Sequence, residues 1–332
     1  MTRGRIVIAG AGAVGCFVGG LLAAAGHPVT LLGRPRMLDP IRDGGLRLTD
    51  FAGLDLRVAP GALELSETAD CLAGAALVLV TVKGGATADM AARIAAHAPA
   101  NAPVISLQNG IGNAGTLRAA LPGRDLRAGM VPFNVVPAGP GHWHRASSGG
   151  IVIGAGPGDL ANMLSVPGLA VTEDADITAI QWGKLLLNLN NALNALSGLA
   201  LRDQLMSRGW RRLMADQMAE ALGVLRASGI AVKSTTPLPA WMGPHILRLP
   251  TPLFARIAAQ MLTIDPSART SMAYDVRAGR ATEIDQLQGL IVAMAAERGL
   301  SAPICAKVAG LVRSVTETGT TDPHLRPDAL RP

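Results

Sequence analysis

Arg5-Ile-Val-Ile-Ala9-Gly10-Ala11-Gly12-Ala13-Val14-Gly15 stands near the start of the chain, and its reading decides the fold. Arg5 to Ala9 is a short apolar run of the kind that forms a central parallel strand, covered on both faces. Three glycines follow at the spacing GxGxxG, and the apolar residues beyond them continue as a helix to about Ala25. The first glycine permits a tight turn, the second lets a pyrophosphate approach the backbone, and the third lets helix and strand pack closely. The helix N-terminus adds amide donors and a positive dipole end. Gly10, Ala11, Gly12, Ala13, Val14 and Gly15 are thus the expected dinucleotide cradle, and Val29 to Leu32 resumes as the second strand of a βαβ unit.

The stretch Ile6 to Gly26 also has the outline of a signal peptide, being nearly uncharged and ending in small residues. Its six glycines make a poor membrane helix, and the strand that follows fits a folded βαβ unit better. No other run of 18 apolar residues occurs, so no membrane helix is expected. Cys16, Cys71 and Cys305 are odd in number and lack metal-like spacing, which points to a reducing, cytoplasmic setting and no metal site. The net charge of +6 comes without a basic run or aromatic platforms, which argues against nucleic acid and leaves an anionic small molecule as partner. Only four of the 30 basic residues are lysines (Lys83, Lys184, Lys233 and Lys307), so a lysine here hints at a need for a compact ammonium.

Working outward, strand two ends in Gly33 and Arg34 where NAD sites usually carry an acid for the ribose. A guanidinium suits the 2′-phosphate of NADP as a charge-assisted partner, and a solvated loop arginine is the plain alternative. NADP(H) is the expected cofactor. Leu46 to Val58 reads as a hairpin or irregular strands, Leu77 to Val82 and Pro103 to Leu107 as buried strands. Lys83 and Asn109 stand at the carboxyl ends of these last two, where open parallel sheets bind ligands. Met130 to Val136 and Gly150 to Gly154 read as closing strands, with His142 and His144 in the loop joining them.

From Ile177 the pattern turns helical, with helices expected at 177–197, 207–228, 252–264, 266–279, 283–299 and 303–317. Asp265-Pro266 and Thr282-Glu283 read as helix starts, Gly279 and Gly299 as stops. The expected fold is α/β, a Rossmann-type doubly wound domain over 1–172 followed by an all-helical domain over 173–332. Lys184, Asn188 and Asn191 recur at i, i+4 and i+7 on a segment otherwise rich in leucine. Such polar groups line a ligand cleft or bond to other helices, and spacing alone leaves both open.

The set Gly10-x-Gly12-x-x-Gly15, Val82-Lys83, Gln108-Asn109-Gly110, Trp182-x-Lys184-x-x-x-Asn188, Thr270-Ser271-Met272-x-x-Asp275 and Thr282-Glu283-Ile284-Asp285 resembles the ketopantoate reductase (2-dehydropantoate 2-reductase) family. The resemblance runs in order over roughly residues 5 to 310. It implies NADPH-dependent reduction of ketopantoate to pantoate, toward pantothenate and coenzyme A. Lys184 would be the general acid, Glu283 its partner or a substrate ligand, and Lys83 and Asn109 the lining of the nicotinamide and substrate pocket. Asn188, Asn191 and Ser271 would be substrate ligands, and a homodimer is compatible. Bare physics offers plainer roles for two of these: an acid at a helix start is favoured by the dipole, and a helical serine is ordinarily a packing or surface residue. The chain departs from the family at Ala192 and Ala268, where asparagines are frequent, which bears on the identity of the 2-keto acid. Two other functions stay open at this stage: another 2-keto acid reductase, and a non-catalytic NADP(H)-binding regulator.

Overall fold

The computed structural model describes residues 4–236, 238–259, 262, 265 and 268–332. The chain divides into two units, Met1–Thr178 and Ala179–Pro332. In the first unit the strands are β1 (Ile6–Ala9), β2 (Val29–Leu32), β3 (Leu46–Asp50), β4 (Asp55–Val58), β5 (Glu64–Ser66), β6 (Leu77–Val80), β7 (Val104–Ser106), β8 (Leu126–Met130), β9 (Val135–Gly139), β10 (His142–Arg145), β11 (Ile151–Gly154) and β12 (Val171–Asp174). Its helices are α1 (Ala13–Ala24), α2 (Pro35–Gly44), α3 (Thr87–His97), α4 (Asn113–Ala120) and α5 (Leu160–Leu164).

Eight strands form the main sheet in the order β12-β11-β8-β7-β6-β1-β2-β5. Every pairing in it is parallel except β11 with β8. Ile6 and Ile8 of β1 pack into one core with Phe17, Leu21 and Leu22 of α1, while Val7 and Ala9 join another with Met90 and Ile94 of α3 and Leu117 of α4. Alternate strand residues thus feed cores on opposite faces, and the sheet is doubly wound. The strand order reverses at β1, between β2 and β6, where such sheets bind ligands.

The expected hairpin at 46–58 is the antiparallel pair β3–β4, within a second sheet of order β4-β3-β10-β9. His142 and His144 do not lie in a loop but in β10, which pairs in parallel with β3 some 95 residues upstream, as the Thr49–His144 hydrogen bond also shows. The expected strand over 130–136 is two strands, β8 ending at Met130 and β9 starting at Val135. Helix α2 was not expected; proline at its first position suits the start of a helix.

The second unit contains most of α6 (Ile177–Asn188), then α7 (Asn190–Ser197), α8 (Leu201–Met206), α9 (Arg208–Ala227), α10 (Gly243–Arg248), α11 (Thr251–Ile257), α12 (Ser271–Arg277), α13 (Gln288–Ala296) and α14 (Pro303–Glu317). The helices expected at 207–228 and 303–317 form, and Gly279 (φ +60) and Gly299 (φ +65) follow the ends of theirs. The one expected at 177–197 is interrupted at Leu189, whose carbonyl is drawn toward the buried amides of Gln217 (3.0 Å) and Gln288 (2.8 Å). The helix expected from 266 begins at Ser271 instead, Pro266 lying outside the described residues. The helix expected over 252–264 ends at Ile257, and part of its remainder is also outside them. Thr282 is not the helix cap: a 3-10 turn, Ile284–Gln286, follows Glu283 and precedes α13.

Arg211 shows how this unit closes its helix ends. The wholly buried guanidinium donates to the carbonyls of Leu205, Met206, Leu247 and Leu249 and to the Thr251 hydroxyl, and lies 4.3 Å from the Phe254 ring centroid. Carbonyls left over at the ends of α8 and α10 are thereby satisfied.

Candidate functional site

In the first unit the cradle forms as its residues require. Gly10 has φ +127, and a Cβ there would sit 2.6 Å from the Val82 nitrogen. A Cβ on Gly15 would fall 2.2 Å from the Gly10 carbonyl oxygen, and that carbonyl accepts from Thr81 Oγ1 at 2.7 Å. Only glycine fits at these two positions. Gly12 differs: a Cβ there would meet nothing closer than the Thr81 oxygen at 4.0 Å. It is the cap residue of α1, with no side-chain cap and no acid in the first turn. Ala11 is buried, with its amide on the Leu32 carbonyl, and Ala13 and Val14 form the first turn of α1. The open space at Gly12 beside an uncapped helix start fits a phosphate, so the residues present suit a dinucleotide.

Arg34 stands between Gly33, which follows β2, and the start of α2, is exposed, and holds no ion pair among the described residues. Lys83, also exposed, precedes a 3-10 turn after β6, and Asn109 is partly buried after β7. A buried network joins these two strand ends. Gln108 Nε2 donates to the Val82 carbonyl (3.0 Å) and to Thr87 Oγ1 (2.7 Å), and Gln108 Oε1 accepts from Ser106 Oγ (3.0 Å). Asn113 Nδ2 donates to the Asn109 carbonyl at 2.7 Å. Gln108 had no role assigned from sequence, though its place beside Asn109 was the available signal.

In the second unit Lys184, Leu187, Asn188 and Asn191 are the partly buried residues between Lys184 and Asn191, while Leu185, Leu186, Leu189 and Asn190 are buried. Lys184, Asn188 and Asn191 thus share a face despite the interruption at Leu189. Burial pushes the Lys184 ammonium down from 10.5 to about 8, and attraction to Glu283 opposes that shift. The structure thereby brings Lys184 and Glu283, 99 positions apart in sequence, into electrostatic contact range. Ser271 is the first residue of α12 and is partly buried. Ala192 and Ala268 are buried, so both departures from the family sit in packing.

Gly183 was missed from sequence. A Cβ on it would lie 1.8 Å from the Lys233 carbonyl oxygen, and the Lys233 amide donates to the Ala179 carbonyl at 3.0 Å. The chain at Lys233 therefore runs against α6 one residue before Lys184, and a glycine inside a helix was the clue. The thiols offer no nucleophile: burial pushes Cys16 up to about 12 and raises Cys71 and Cys305 as well. Among the described residues no group of three or more His, Cys, Asp or Glu could hold a metal ion. None of their helices is long and apolar enough to cross a membrane.

Two family models match the chain: ketopantoate reductase PanE/ApbA over residues 6–158, and its C-terminal counterpart over 176–316. The chain belongs to the ketopantoate reductase family. It is 28% identical over 324 residues to a 2-dehydropantoate 2-reductase of Halobacterium salinarum, covering 95% of this chain and 100% of that one. It is 33% identical to a PanE/ApbA family ketopantoate reductase from Ralstonia eutropha JMP134, with a TM-score of 0.80 over 95% of this chain and 99% of that one. A ternary D-mandelate dehydrogenase structure, with NADH and anilino(oxo)acetate, shares the fold at 21% identity and a TM-score of 0.76, over 95% and 99% of the two chains. Membership makes the chain an oxidoreductase of the pyridine-nucleotide type, in a family named for a small keto acid.

Proposed function

We propose that this protein is an NADPH-dependent 2-dehydropantoate 2-reductase, reducing ketopantoate to pantoate on the way to pantothenate and coenzyme A. The observation that carries the reading is Lys184, partly buried on the face it shares with Asn188 and Asn191, whose ammonium is pushed down to about 8 by burial, against attraction to Glu283. A proton donor poised near working pH is what ketone reduction needs at the carbonyl oxygen. The first unit holds the cofactor: the α1 cradle takes the pyrophosphate and Arg34 the 2′-phosphate, while Lys83 and Asn109 serve the nicotinamide and the substrate. Bound there, the cofactor supplies a hydride to the 2-keto carbon. Lys184 Nζ would donate a proton to the keto oxygen, making the hydroxyl. The neutral amine left behind regains its proton from solvent. Glu283 keeps the ammonium charged or holds the substrate hydroxyl, while Asn188, Asn191 and Ser271 orient the substrate, Ser271 near its carboxylate.

A second reading, reduction of a different 2-keto acid on the same scaffold, rests on Ala192 and Ala268 standing where asparagines are frequent in the family. Three free cysteines fit a reducing cytoplasm, and a dimeric Staphylococcus aureus ketopantoate reductase among the fold's neighbours supports a homodimer. NADPH oxidation measured with ketopantoate and a panel of 2-keto acids tests the whole. Turnover is expected with ketopantoate and lost in Lys184→Ala. Turnover of another acid with ketopantoate ignored moves the assignment to the second reading. NADPH binding without turnover on any acid would indicate a regulator. Arg34→Ala is expected to erode the preference for NADPH over NADH; an unchanged ratio would remove Arg34 from its role.

A further inference from the structure

Thr270, at the cap position of α12, is tied to α7 through its amide and its hydroxyl. Its amide donates to Asn194 Oδ1 at 3.0 Å, and its hydroxyl donates to the Asn191 carbonyl at 3.1 Å. The amide of a helix cap is commonly satisfied by a Glu or Gln three residues into the same helix. That position here is Ala273, and the hydroxyl makes no cap bond within α12. Asn194, from a different helix, supplies the missing acceptor.

The Asn194 side chain has no freedom to do anything else. It is fully buried, and its Nδ2 donates to the Leu199 carbonyl and to Gln204 Oε1, both at 3.1 Å. Gln204 is itself fixed, donating to Asn190 Oδ1 at 3.1 Å and accepting from Asn190 Nδ2 at 3.3 Å. With both donor sites engaged, the amide can face Thr270 only with its oxygen. The residue after Thr270 is Ser271, and α7 follows the helix that bears Lys184 and Asn188.

We propose that Asn194 is a positioning residue of the substrate site, holding the start of α12 on α7 so that Ser271 meets the substrate in register with Asn188 and Lys184. This rests on Ser271 binding substrate, as proposed above. It also accounts for an asparagine at a fully buried position of an apolar helix, where an unsatisfied amide would be costly.

The test is a double-mutant cycle on the 2-keto acid that the wild type reduces best, reading KM, kcat and the NADPH Kd. Asn194→Ala is expected to raise KM roughly ten-fold, the loss of about one well-placed hydrogen bond, with NADPH Kd within about two-fold. In a Ser271→Ala background the same change is expected to add little, because the group it positions is gone. Thr270→Val, which removes only the bond to the Asn191 carbonyl, gives a folded second probe with a smaller rise that also vanishes in that background. Thr270→Ser, keeping both bonds, is expected to match wild type. Additive effects of Asn194→Ala and Ser271→Ala overturn the proposal and leave Ser271's own role standing. An unchanged KM in Ser271→Ala removes that role and the proposal with it. A parallel rise in NADPH Kd overturns the proposal in favour of general loosening.

Discussion

Lys184→Met should make the protein more stable at neutral pH while nearly abolishing turnover. The folded chain lowers the lysine pKa from 10.5 to about 8, so holding the ammonium charged in its site opposes folding below pH 8. At about 1.4 kcal/mol per unit, the shift corresponds to roughly 3 kcal/mol. Methionine keeps the length and loses the charge, but it also leaves Glu283 without its cation, so a net gain of about 1–2 kcal/mol is expected. That is a rise of roughly 2–8 °C in the transition of a unit this size. The sign in pH follows from proton counting. Between pH 8 and 10.5 the unfolded lysine binds a proton that the folded one has released, so wild-type stability climbs relative to the variant across that window. Calorimetry of wild type and Lys184→Met at pH 7 and pH 10 reads this directly. Turnover should fall by about two to four orders of magnitude. A variant less stable than wild type at pH 7, or a gain that persists undiminished at pH 10, would refute the claim that Lys184 is held against a burial penalty.

Two further outcomes follow from the same unit. The kcat/KM of the wild type should decline as pH rises through about 8, where Lys184 loses its proton, and Glu283→Gln should move that limb to lower pH because the attraction that props up the ammonium is gone. A limb that stays put or moves upward in Glu283→Gln would show that the two groups are not coupled. Gly183→Ala gains up to about 1 kcal/mol of helix propensity but drives a methyl group to 1.8 Å from the Lys233 carbonyl oxygen. Backbone displacement of this kind costs roughly 1–3 kcal/mol or more, so lower stability and reduced kcat are expected together; a variant at least as stable and as active as wild type would count against the close approach.

What could be read from the sequence was what is local. The βαβ start was legible because GxGxxG marks strand, turn and helix within a few residues, even though the neighbours that exclude a side chain at Gly10 are Thr81 and Val82, far downstream. Strand β10 was not, because its parallel partner β3 lies far upstream and His142-Trp143-His144 is too short to announce a period. The same holds for Leu189: nothing in its neighbours marks an interruption, since the groups that draw its carbonyl outward come from Gln217 and Gln288. The start of α12 was misplaced for a related reason. The cap at Thr270 is completed by Asn194, so the local proline signal at 266 pointed elsewhere.

The asparagines show why the site itself was only half legible. Asn188, Asn190, Asn191 and Asn194 look equivalent in sequence, four amides on a leucine-rich stretch. Burial separates them into two classes: Asn188 and Asn191 stay partly exposed on the face of Lys184, while Asn190 and Asn194 are buried and bonded to Gln204. Spacing left ligand face and inter-helix network open for Lys184, Asn188 and Asn191; the network that forms is made by their neighbours Asn190 and Asn194, and the ligand face is the role proposed for Asn188 and Asn191. An amide inside a folded protein needs partners in either case, so amide content by itself carries no information about which partner. What separates the classes is the helical phase relative to Lys184: residues at i+4 and i+7 share its exposed face, and those at i+6 and i+10 turn inward. An exchange of roles between the classes, such as Asn194 moved to the exposed face, would leave composition unchanged and remove the frame on which the residues proposed to meet the substrate are mounted.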